Sequence, residues 1–263
     1  MIPALIILLF LAMLYIGSVG GRVGHPGLKD LQGWSYAHRG LHGNGIPENS
    51  MAAFRAALEG GYGIEFDLHL LKDGNLAVIH DSLLKRTTGA DGRIEDLKNY
   101  SLEGTEETIP TFQELLDLYN GKAPLIVELK PEKGNHALLT ETACKMLADY
   151  PGVYCIESFD PRCIYWLKKN RPRIIRGQLA ENFFRSDPNL SLPLKFLLTH
   201  SLSHFFTMPD FTAYKFADRR NLSTWICRRL YGVQGVTWTL RTKEDYDTAV
   251  KEGWLPIFEN FIP

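Results

Sequence analysis

Five short groups of residues in this chain carry side chains that could do chemistry together. They are, in chain order, His38-Arg39-Gly40, Glu65-x-Asp67, His80-Asp81, Glu128-x-Lys130 and Trp238. These groups fall at the ends of short apolar runs, and strand ends are where an α/β barrel keeps its reactive side chains. Carboxylates that hold a hard cation, beside two histidines and two fixed positive charges, suit the cleavage of a phosphate ester. The pattern therefore predicts an enzyme that hydrolyses a phosphodiester.

Three carboxylates, Glu65, Asp67 and Glu128, are the candidate metal ligands. Glu65 and Asp67 are charged residues in an otherwise apolar run, and like charges this close repel unless a cation or a proton lies between them. Glu128 ends another apolar run and offers a third oxygen ligand. Since the set contains no cysteine, it favours Mg²⁺ or Ca²⁺ over structural zinc. The alternative interpretation is a structural pair of carboxylates.

The two histidines and two cations are candidates for acid–base catalysis and for phosphate binding. His38 and His80 stand at strand ends beside the acidic cluster, which favours roles as general acid and general base. The Arg39 guanidinium can bind two phosphate oxygens at once, whereas Lys130 offers a point charge. The alternative for Arg39 and Lys130 is pairing with the local carboxylates.

Composition sets broad limits on the function. The chain has 263 residues and a formal net charge of -1, so it has no global basic field for nucleic acid. Any anion must therefore bind at a local site. None of the 4 cysteines belongs to a CxxC pair, so we expect free thiols rather than a disulfide framework.

The N-terminus predicts a membrane anchor. The span from Ile2 to Val19 is almost wholly apolar, with no charged residue before Arg22. Eighteen helical residues extend about 27 Å, close to the thickness of the hydrocarbon core. We therefore expect an uncleaved transmembrane anchor at 1–21, a glycine-rich linker at 22–33 and a catalytic domain at 34–263. Arg22 and Lys29 favour a single-pass membrane protein with a cytoplasmic catalytic domain.

The elements that must position the candidate side chains form an alternating series. Eight strands are predicted, each followed in most cases by a helical pattern: Trp34–His38, Gly63–Leu68, Pro124–Leu129, Val153–Ser158, Arg173–Gln178, Phe211–Phe216, Gly235–Leu240 and Trp254–Phe261. Eight β/α units in this length favour a closed (β/α)8 TIM barrel over an open doubly wound sheet. No GxGxxG or Walker A motif follows the first strand, which lowers the case for a nucleotide-binding fold.

An additional strand, Asn75–His80, is predicted to form a hairpin with the second barrel strand. Asp73-Gly74 is a strong two-residue turn signal, because such turns need positive φ angles. That turn would place Asp67 directly across from His80, with both side chains on the face that carries Glu65.

The ordered motifs also resemble a known family. In addition to the groups above, the chain contains Pro47-Glu48-Asn49-Ser50, Lys72-Asp73-Gly74, Arg86-Thr87-Thr88-Gly89, Ser158-Phe159 and Thr237-Trp238-Thr239. Together, from Trp34 to the C-terminus, the set closely resembles the glycerophosphodiester phosphodiesterase family. The resemblance implies a TIM-barrel phosphodiesterase that uses a divalent metal and releases sn-glycerol 3-phosphate and an alcohol.

The resemblance also implies a role for each matching residue. The family's metal ligands match Glu65, Asp67 and Glu128, and its catalytic histidines match His38 and His80. The positions that match substrate-binding residues are Arg39, Glu48, Lys130, Phe159 and Trp238. One departure lies in the last strand, where the family often has an aspartate and this chain places Asn260.

Two alternative functions remain at this point. The same chemistry could act on a lysophospholipid, as in a lysophospholipase D or a phospholipase C-like enzyme, which the apolar N-terminus and the apolar stretch Leu192–Phe206 support. A non-catalytic barrel that binds phosphorylated glycerol compounds is the other alternative, although every acidic and histidine position of the motif set is intact.

Overall fold

Nine β-strands lie in the part of the chain that the structure describes. A computed structural model of the chain describes residues 2–96 and 101–263. The strands are β1 (Tyr36–His38), β2 (Gly63–Leu70), β3 (Leu76–Val78), β4 (Leu125–Leu129), β5 (Tyr154–Ser158), β6 (Ile175–Ala180), β7 (Phe211–Lys215), β8 (Gln234–Leu240) and β9 (Trp254–Phe258).

Eight of these strands close into a parallel barrel. The strand order is β1-β9-β8-β7-β6-β5-β4-β2, and β1 also pairs with β2 in parallel, which joins the two ends of the sheet. All eight residues of β2 and all five of β4 are buried, as expected for parallel strands covered on both faces. The predicted (β/α)8 TIM barrel is therefore confirmed.

The α-helices of the described residues precede the first strand or lie between later strands. They are α1 (Ile2–Ser18), α2 (Leu28–Leu31), α3 (Met51–Glu59), α4 (Lys85–Thr88), α5 (Phe112–Tyr119), α6 (His136–Met146), α7 (Pro161–Asn170), α8 (Phe183–Ser186), α9 (Leu192–Thr199), α10 (His204–Thr207), α11 (Leu222–Trp225) and α12 (Lys243–Lys251). A π-helical segment, Ile226–Leu230, continues α11, and short 3₁₀ turns occupy Ile94–Asp96 and Phe216–Asp218.

The hairpin of β2 and β3 is present, but its predicted register is wrong by one residue. Leu68 pairs with Val78 and Leu70 with Leu76, so Asp67 is not the partner of His80. The backbone N–H of Leu71 donates to the carbonyl oxygen of Asn75, and the loop consists of the three residues between them. Gly74 has a φ of 89°, whereas Asp73 does not adopt a positive φ, and a type I′ turn needs positive φ at both central residues.

The predicted transmembrane anchor is also wrong. Among the residues that the structure describes, no helix combines the length and the apolar character needed to cross a membrane. Helix α1, which covers most of the predicted anchor, has 17 residues. The prediction of a single-pass membrane protein is wrong for the same reason.

The segment between α1 and the barrel packs against the barrel. The Arg22 guanidinium Nη2 lies 2.6 Å from Oδ2 of Asp210, and the Arg22 N–H donates to the carbonyl oxygen of Pro209. Leu31 in α2 is buried, and its carbonyl oxygen accepts a hydrogen bond from the Tyr36 hydroxyl. Residues 22–33, predicted as a linker, therefore contact the catalytic domain.

Candidate active site

The carboxyl ends of the barrel strands surround a small polar cavity of about 50 Å³. Its lining consists of His38, Arg39, Glu65, His80, Glu128, Lys130, Glu157, Phe159, Leu179, Trp238 and Ile257. The cavity lies beside an open groove of about 700 Å³, which shares His80, Glu128, Lys130 and Phe159 with it. The structure thus brings together most of the residues that the sequence analysis selected.

Three buried carboxylates, Glu65, Asp67 and Glu128, form the acidic cluster at this edge. Asp67 on β2 and Glu128 on β4 are paired neighbours. Glu65 lies two residues before Asp67 on β2, so the two side chains are on the same face of the strand. One oxygen from each carboxylate can be chosen so that all three lie within 4.8 Å of one another. A set of three carboxylate oxygens is a possible site for a hard divalent cation.

Burial and neighbouring charges shift the pKa values of all three carboxylates. Burial and the adjacent Asp67 and Glu128 raise the pKa of Glu65 well above its usual value. Burial raises the pKa of Glu128 to about 7, even though Lys130 favours its charged form. Burial would also raise the pKa of Asp67, but Lys130, His80 and Arg39 hold it far below the usual range.

Two cations lie directly against the acidic cluster. Lys130 Nζ is 2.7 Å from Glu128 Oε1 and 3.2 Å from Asp67 Oδ1. Arg39 Nε is 3.4 Å from Asp67 Oδ2, and Arg39 Nη1 donates to Glu48 Oε1 at 3.0 Å. Both cations are therefore paired with local carboxylates, as the alternative interpretation expected, and both remain beside the cavity where a phosphate could reach them.

The loop after β1 positions Arg39 through an unusual backbone. Arg39 has a φ of 55° and Gly40 a φ of 79°. A Cβ atom on Gly40 would lie 2.8 Å from Cβ of Ala53 in α3, so only glycine lets the loop pass this close to the helix. Asn49 secures the other side by donating from Nδ2 to Asp67 Oδ2 at 2.9 Å.

His38 is held by a carboxylate that the sequence analysis did not select. Nδ1 of His38 lies 2.6 Å from Oε2 of Glu259, which directly follows β9, and Nε2 lies 3.8 Å from Oε2 of Glu65. Asn260, which was expected to occupy the position where the family often has an aspartate, instead donates from Nδ2 to Glu259 Oε1 at 2.8 Å. A carboxylate directly after the apolar run Trp254–Phe258 was the available signal.

His80 is held in the same way by its neighbour in sequence. Nδ1 of His80 lies 2.6 Å from Oδ1 of Asp81, and the His80 carbonyl oxygen contacts Nε2 of His69 at 3.1 Å. Because β3 ends at Val78, the shifted register does not fix the direction of His80. Its side chain lines the cavity. The predicted pairing of His80 with Asp67 does not occur, so that pairing is not what places the side chain there.

An ion-pair chain links the His80 side of the cavity to the Arg39 side. Arg86 of α4 pairs with Asp81 through Nε and with Glu48 Oε1 through Nη2 at 2.6 Å. Glu48 in turn accepts from Arg39, so this carboxylate contacts arginines rather than the cavity itself. Glu48 is therefore placed to orient Arg39.

Aromatic rings and one further carboxyl complete the walls. Phe159 and Trp238 meet edge to face with their centroids 5.5 Å apart. Glu157 on β5, which the sequence analysis missed, is 1% exposed, and its Oε2 has no hydrogen-bond partner among the described residues. Burial and the neighbouring Glu128 raise the pKa of Glu157 well above its usual value.

A closed parallel barrel with carboxylates, histidines and cations at its carboxyl end is an arrangement suited to the hydrolysis of phosphate esters. The chain belongs to the glycerophosphoryl diester phosphodiesterase family, whose model matches residues 38–262. It is therefore a phosphodiesterase, and the predicted family and enzyme class are confirmed.

Individual relatives agree with this family, and a solved structure shares the fold. The chain is similar to a glycerophosphodiester phosphodiesterase of Caldanaerobacter subterraneus, with 29% identity over 82% of this chain and 89% of the relative. Glycerophosphodiester phosphodiesterase 1 of Bos taurus is 27% identical over 80% of this chain and 72% of the relative. An Oleispira antarctica phosphodiesterase solved with the product sn-glycerol-3-phosphate has the same fold, with a TM-score of 0.72, 21% identity and coverage of 90% and 95% of the two chains.

Proposed function

We propose that the chain hydrolyses glycerophosphodiesters to sn-glycerol 3-phosphate and an alcohol, with His38 and His80 as its catalytic pair. The observation that carries the proposal is the placement of the two rings on one cavity, each held at Nδ1 by a carboxylate 2.6 Å away. In this arrangement Nε2 of each ring is the nitrogen left for the reacting groups. A pair of oriented histidines beside two cations suits cleavage of a phosphate diester by general acid–base catalysis.

The carboxylates Glu65, Asp67 and Glu128 would hold one divalent cation, Mg²⁺ or Ca²⁺. Their donor set fits such an ion, because the three side chains offer only oxygen and can each place one oxygen within 4.8 Å of the others. When bound, the cation supplies positive charge that stabilises the charge on phosphate and makes a nearby hydroxyl more acidic.

His38 would act as the general base and His80 as the general acid. Burial lowers the pKa of His38, although the hydrogen bond to Glu259 acts in the opposite direction, and a lowered pKa favours the neutral ring that can accept a proton. His38 takes the proton of the nucleophile as its oxygen bonds to phosphorus. The bond from phosphorus to the alcohol breaks, and His80 gives its proton to the departing oxygen.

Two nucleophiles fit these roles. If water attacks, the products form in one step. If the 2-hydroxyl of glycerol attacks, a cyclic phosphate forms as the alcohol leaves, and water then opens the ring with the histidine roles reversed. The two routes differ in whether a cyclic glycerophosphate can be detected during turnover.

The remaining residues would bind the substrate. Arg39 and Lys130 stabilise the phosphate oxygens, and Glu48 keeps the guanidinium of Arg39 in place through its hydrogen bond at 3.0 Å. Phe159 and Trp238 provide apolar walls against which the carbon atoms of glycerol or of the alcohol would pack.

The experiment that tests the metal is turnover of glycerophosphocholine after chelation. We expect activity to be lost on removal of divalent ions and to return with Mg²⁺ or Ca²⁺. Asp67→Asn should weaken cation binding in a calorimetric titration, whereas Asp73→Asn at the hairpin tip should not. Full activity of rigorously metal-free enzyme would refute the proposed site.

The same assay tests the histidines and the substrate. His38→Ala and His80→Ala should each lower kcat by at least about 100-fold, a typical general acid–base contribution. His25→Ala, on a histidine remote from the cavity, should leave kcat unchanged. Faster turnover of a lysophospholipid than of glycerophosphocholine would favour the lipid alternative, and no turnover of either would favour a binding barrel.

A further inference from the structure

A second cavity, of about 400 Å³, lies on the outside of the barrel and is lined by four arginines. It lies between the helical stretch Leu222–Leu230 and the start of β9. The arginines are Arg219, Arg220, Arg228 and Arg229. Its volume falls within the range of sites that bind small molecules.

The cavity carries a large excess of positive charge. Its one lining carboxylate is Glu252, which Arg219 engages through Nε at 2.8 Å. Among the described residues, neither Arg220 nor Arg229 forms an ion pair, and Arg228 has no carboxylate partner either. Three guanidinium charges are therefore uncompensated around one concavity.

One of these guanidinium groups is fixed in place by the barrel. Arg228 stacks on Trp254 with Cζ 3.6 Å from the ring centroid, and its Nη2 donates to the carbonyl oxygens of Glu252 and Gly253. Its Nε is buried and has no hydrogen-bond partner among the described residues. Burial and the adjacent Arg229 lower the pKa of Arg228 to about 10, so the group stays charged at neutral pH.

A buried hydroxyl in the same wall also lacks a partner. Thr224 lines the cavity and is 4% exposed, and its Oγ1 makes no hydrogen bond among the described residues. A buried polar atom without a partner costs free energy, which a ligand that bonds to it recovers. At the rim, Leu222 and Trp225 are exposed and offer apolar surface beside the charges.

This cavity is separate from the catalytic one. The two share no lining residue. Arg228 donates hydrogen bonds to residues that directly precede β9. Glu259, which is hydrogen-bonded to His38, directly follows the same strand. The arginine cavity therefore belongs to the opposite end of β9 and cannot serve the phosphate that is cleaved.

We propose that the arginine cavity is a binding site for a phosphate group, separate from the active site, with Arg220, Arg228 and Arg229 as its cationic ligands. Guanidinium groups match phosphate oxygens in charge and geometry. The cavity is larger than a phosphate ion, and Trp225 would pack on the rest of the ligand. The phosphate belongs either to a soluble phosphate ester or to a lipid headgroup.

The test uses the double variant Arg220→Gln/Arg229→Gln in the full chain, with Arg171→Gln as a matched control on an exposed arginine that also lies over a tryptophan, Trp166. Binding of inorganic phosphate and of glycerol 3-phosphate is measured by calorimetry. Binding to vesicles of phosphatidylglycerol is compared with binding to vesicles of phosphatidylcholine.

We expect the double variant to weaken phosphate binding at this site at least about tenfold, since charge-assisted hydrogen bonds are lost, while kcat for glycerophosphocholine stays unchanged. If the double variant loses binding of inorganic phosphate and glycerol 3-phosphate, the ligand is a soluble phosphate ester. If it loses only its binding to phosphatidylglycerol vesicles, the ligand is a lipid headgroup. If the wild-type protein binds soluble phosphate only in the active site and does not distinguish the two vesicles, or if the double variant binds every probe as the control does, the proposal is refuted.

Discussion

Oε2 of Glu259 lies 2.6 Å from Nδ1 of His38, and Oδ1 of Asp81 lies at the same distance from Nδ1 of His80. The two carboxylates come from different parts of the chain: one directly follows the last barrel strand, and the other is adjacent in sequence to its histidine. Each contact fixes a ring orientation and favours the protonated form of the histidine. Removal of either carboxylate should therefore change the pH dependence of the reaction as well as its rate.

Glu259→Gln should lower kcat/KM at least about tenfold, because the base loses the charge that orients it. Burial lowers the pKa of His38 and Glu259 raises it, so loss of the Glu259 charge lowers that pKa further. A base must be deprotonated to act, and the acidic limb of the kcat/KM profile should therefore move to lower pH. The measurement is kcat/KM for glycerophosphocholine at saturating cation between pH 4.5 and 9.

Arg241→Gln is the matched control for this prediction. Arg241 Nη2 lies 3.4 Å from the same Glu259 oxygen, but the Arg241 side chain is exposed. Its loss should leave the rate within about twofold of wild type, as is usual for an exposed ion pair. An unchanged acidic limb in Glu259→Gln would contradict the role of His38 as the base.

Asp81→Asn should move the opposite limb. Burial lowers the pKa of His80, and Asp67 and Asp81 raise it, so removal of the Asp81 charge lowers that pKa. A general acid must be protonated to act, and the basic limb should therefore move to lower pH. Lys85→Gln, on a neighbouring exposed residue of α4, is the control. If Asp81→Asn moves the acidic limb and Glu259→Gln the basic limb, the two histidine roles are exchanged.

Most of the barrel and the central site could be predicted from the sequence because both depend on local patterns. Charged residues at the ends of apolar runs, such as Glu65 and Glu128, mark strand ends, and the closed barrel brings those ends together. The contact between His38 and Glu259 joins residues 221 positions apart, and only the closure of β9 against β1 creates it. No local pattern specifies such a pair.

The two wrong predictions have different physical causes. The hairpin register depends on whether Asp73 adopts a positive φ, which the dipeptide Asp-Gly permits but does not require. The prediction of a transmembrane helix depended on the apolar composition of the run from Ile2 to Val19, whereas among the described residues no helix combines the length and the apolar character needed to cross a membrane.

His204 should make the fold sensitive to acid. It is fully buried beside the carbonyl oxygen of Val19, and burial lowers its pKa to about 4. In the unfolded chain the pKa is about 6.5. The unfolded state therefore binds more protons between these values, and stability falls as the pH decreases through this window. The expected loss from this residue is about 2 kcal/mol between pH 7 and pH 5.

Urea unfolding of His204→Asn at pH 7 and pH 5 measures this effect. The variant need not match the wild type in absolute stability, because the readout is the difference between the two pH values. That difference should shrink in His204→Asn and persist in His25→Asn, which alters a histidine that is not fully buried. Equal pH dependence in all three proteins would show that His204 is not the source of the acid sensitivity.

The pair of Arg22 and Asp210 should stabilise the attachment of the N-terminal segment to the barrel. Asp210 is fully buried, and it accepts hydrogen bonds from the Arg22 guanidinium at 2.6 Å and from the backbone N–H of Arg176 at 3.0 Å. Arg22→Met keeps the aliphatic stem but leaves the buried carboxylate with one partner fewer. The expected cost is about 1–3 kcal/mol of unfolding free energy, whereas Lys29→Met on an exposed residue should cost little.

A double-mutant cycle of Arg22→Met with Asp210→Asn should give a coupling energy of at least about 0.5 kcal/mol. The kcat should not change, because neither residue lines the catalytic cavity. A coupling energy of zero would mean that the two side chains stabilise the fold independently and that the ion pair does not attach residues 22–33 to the barrel.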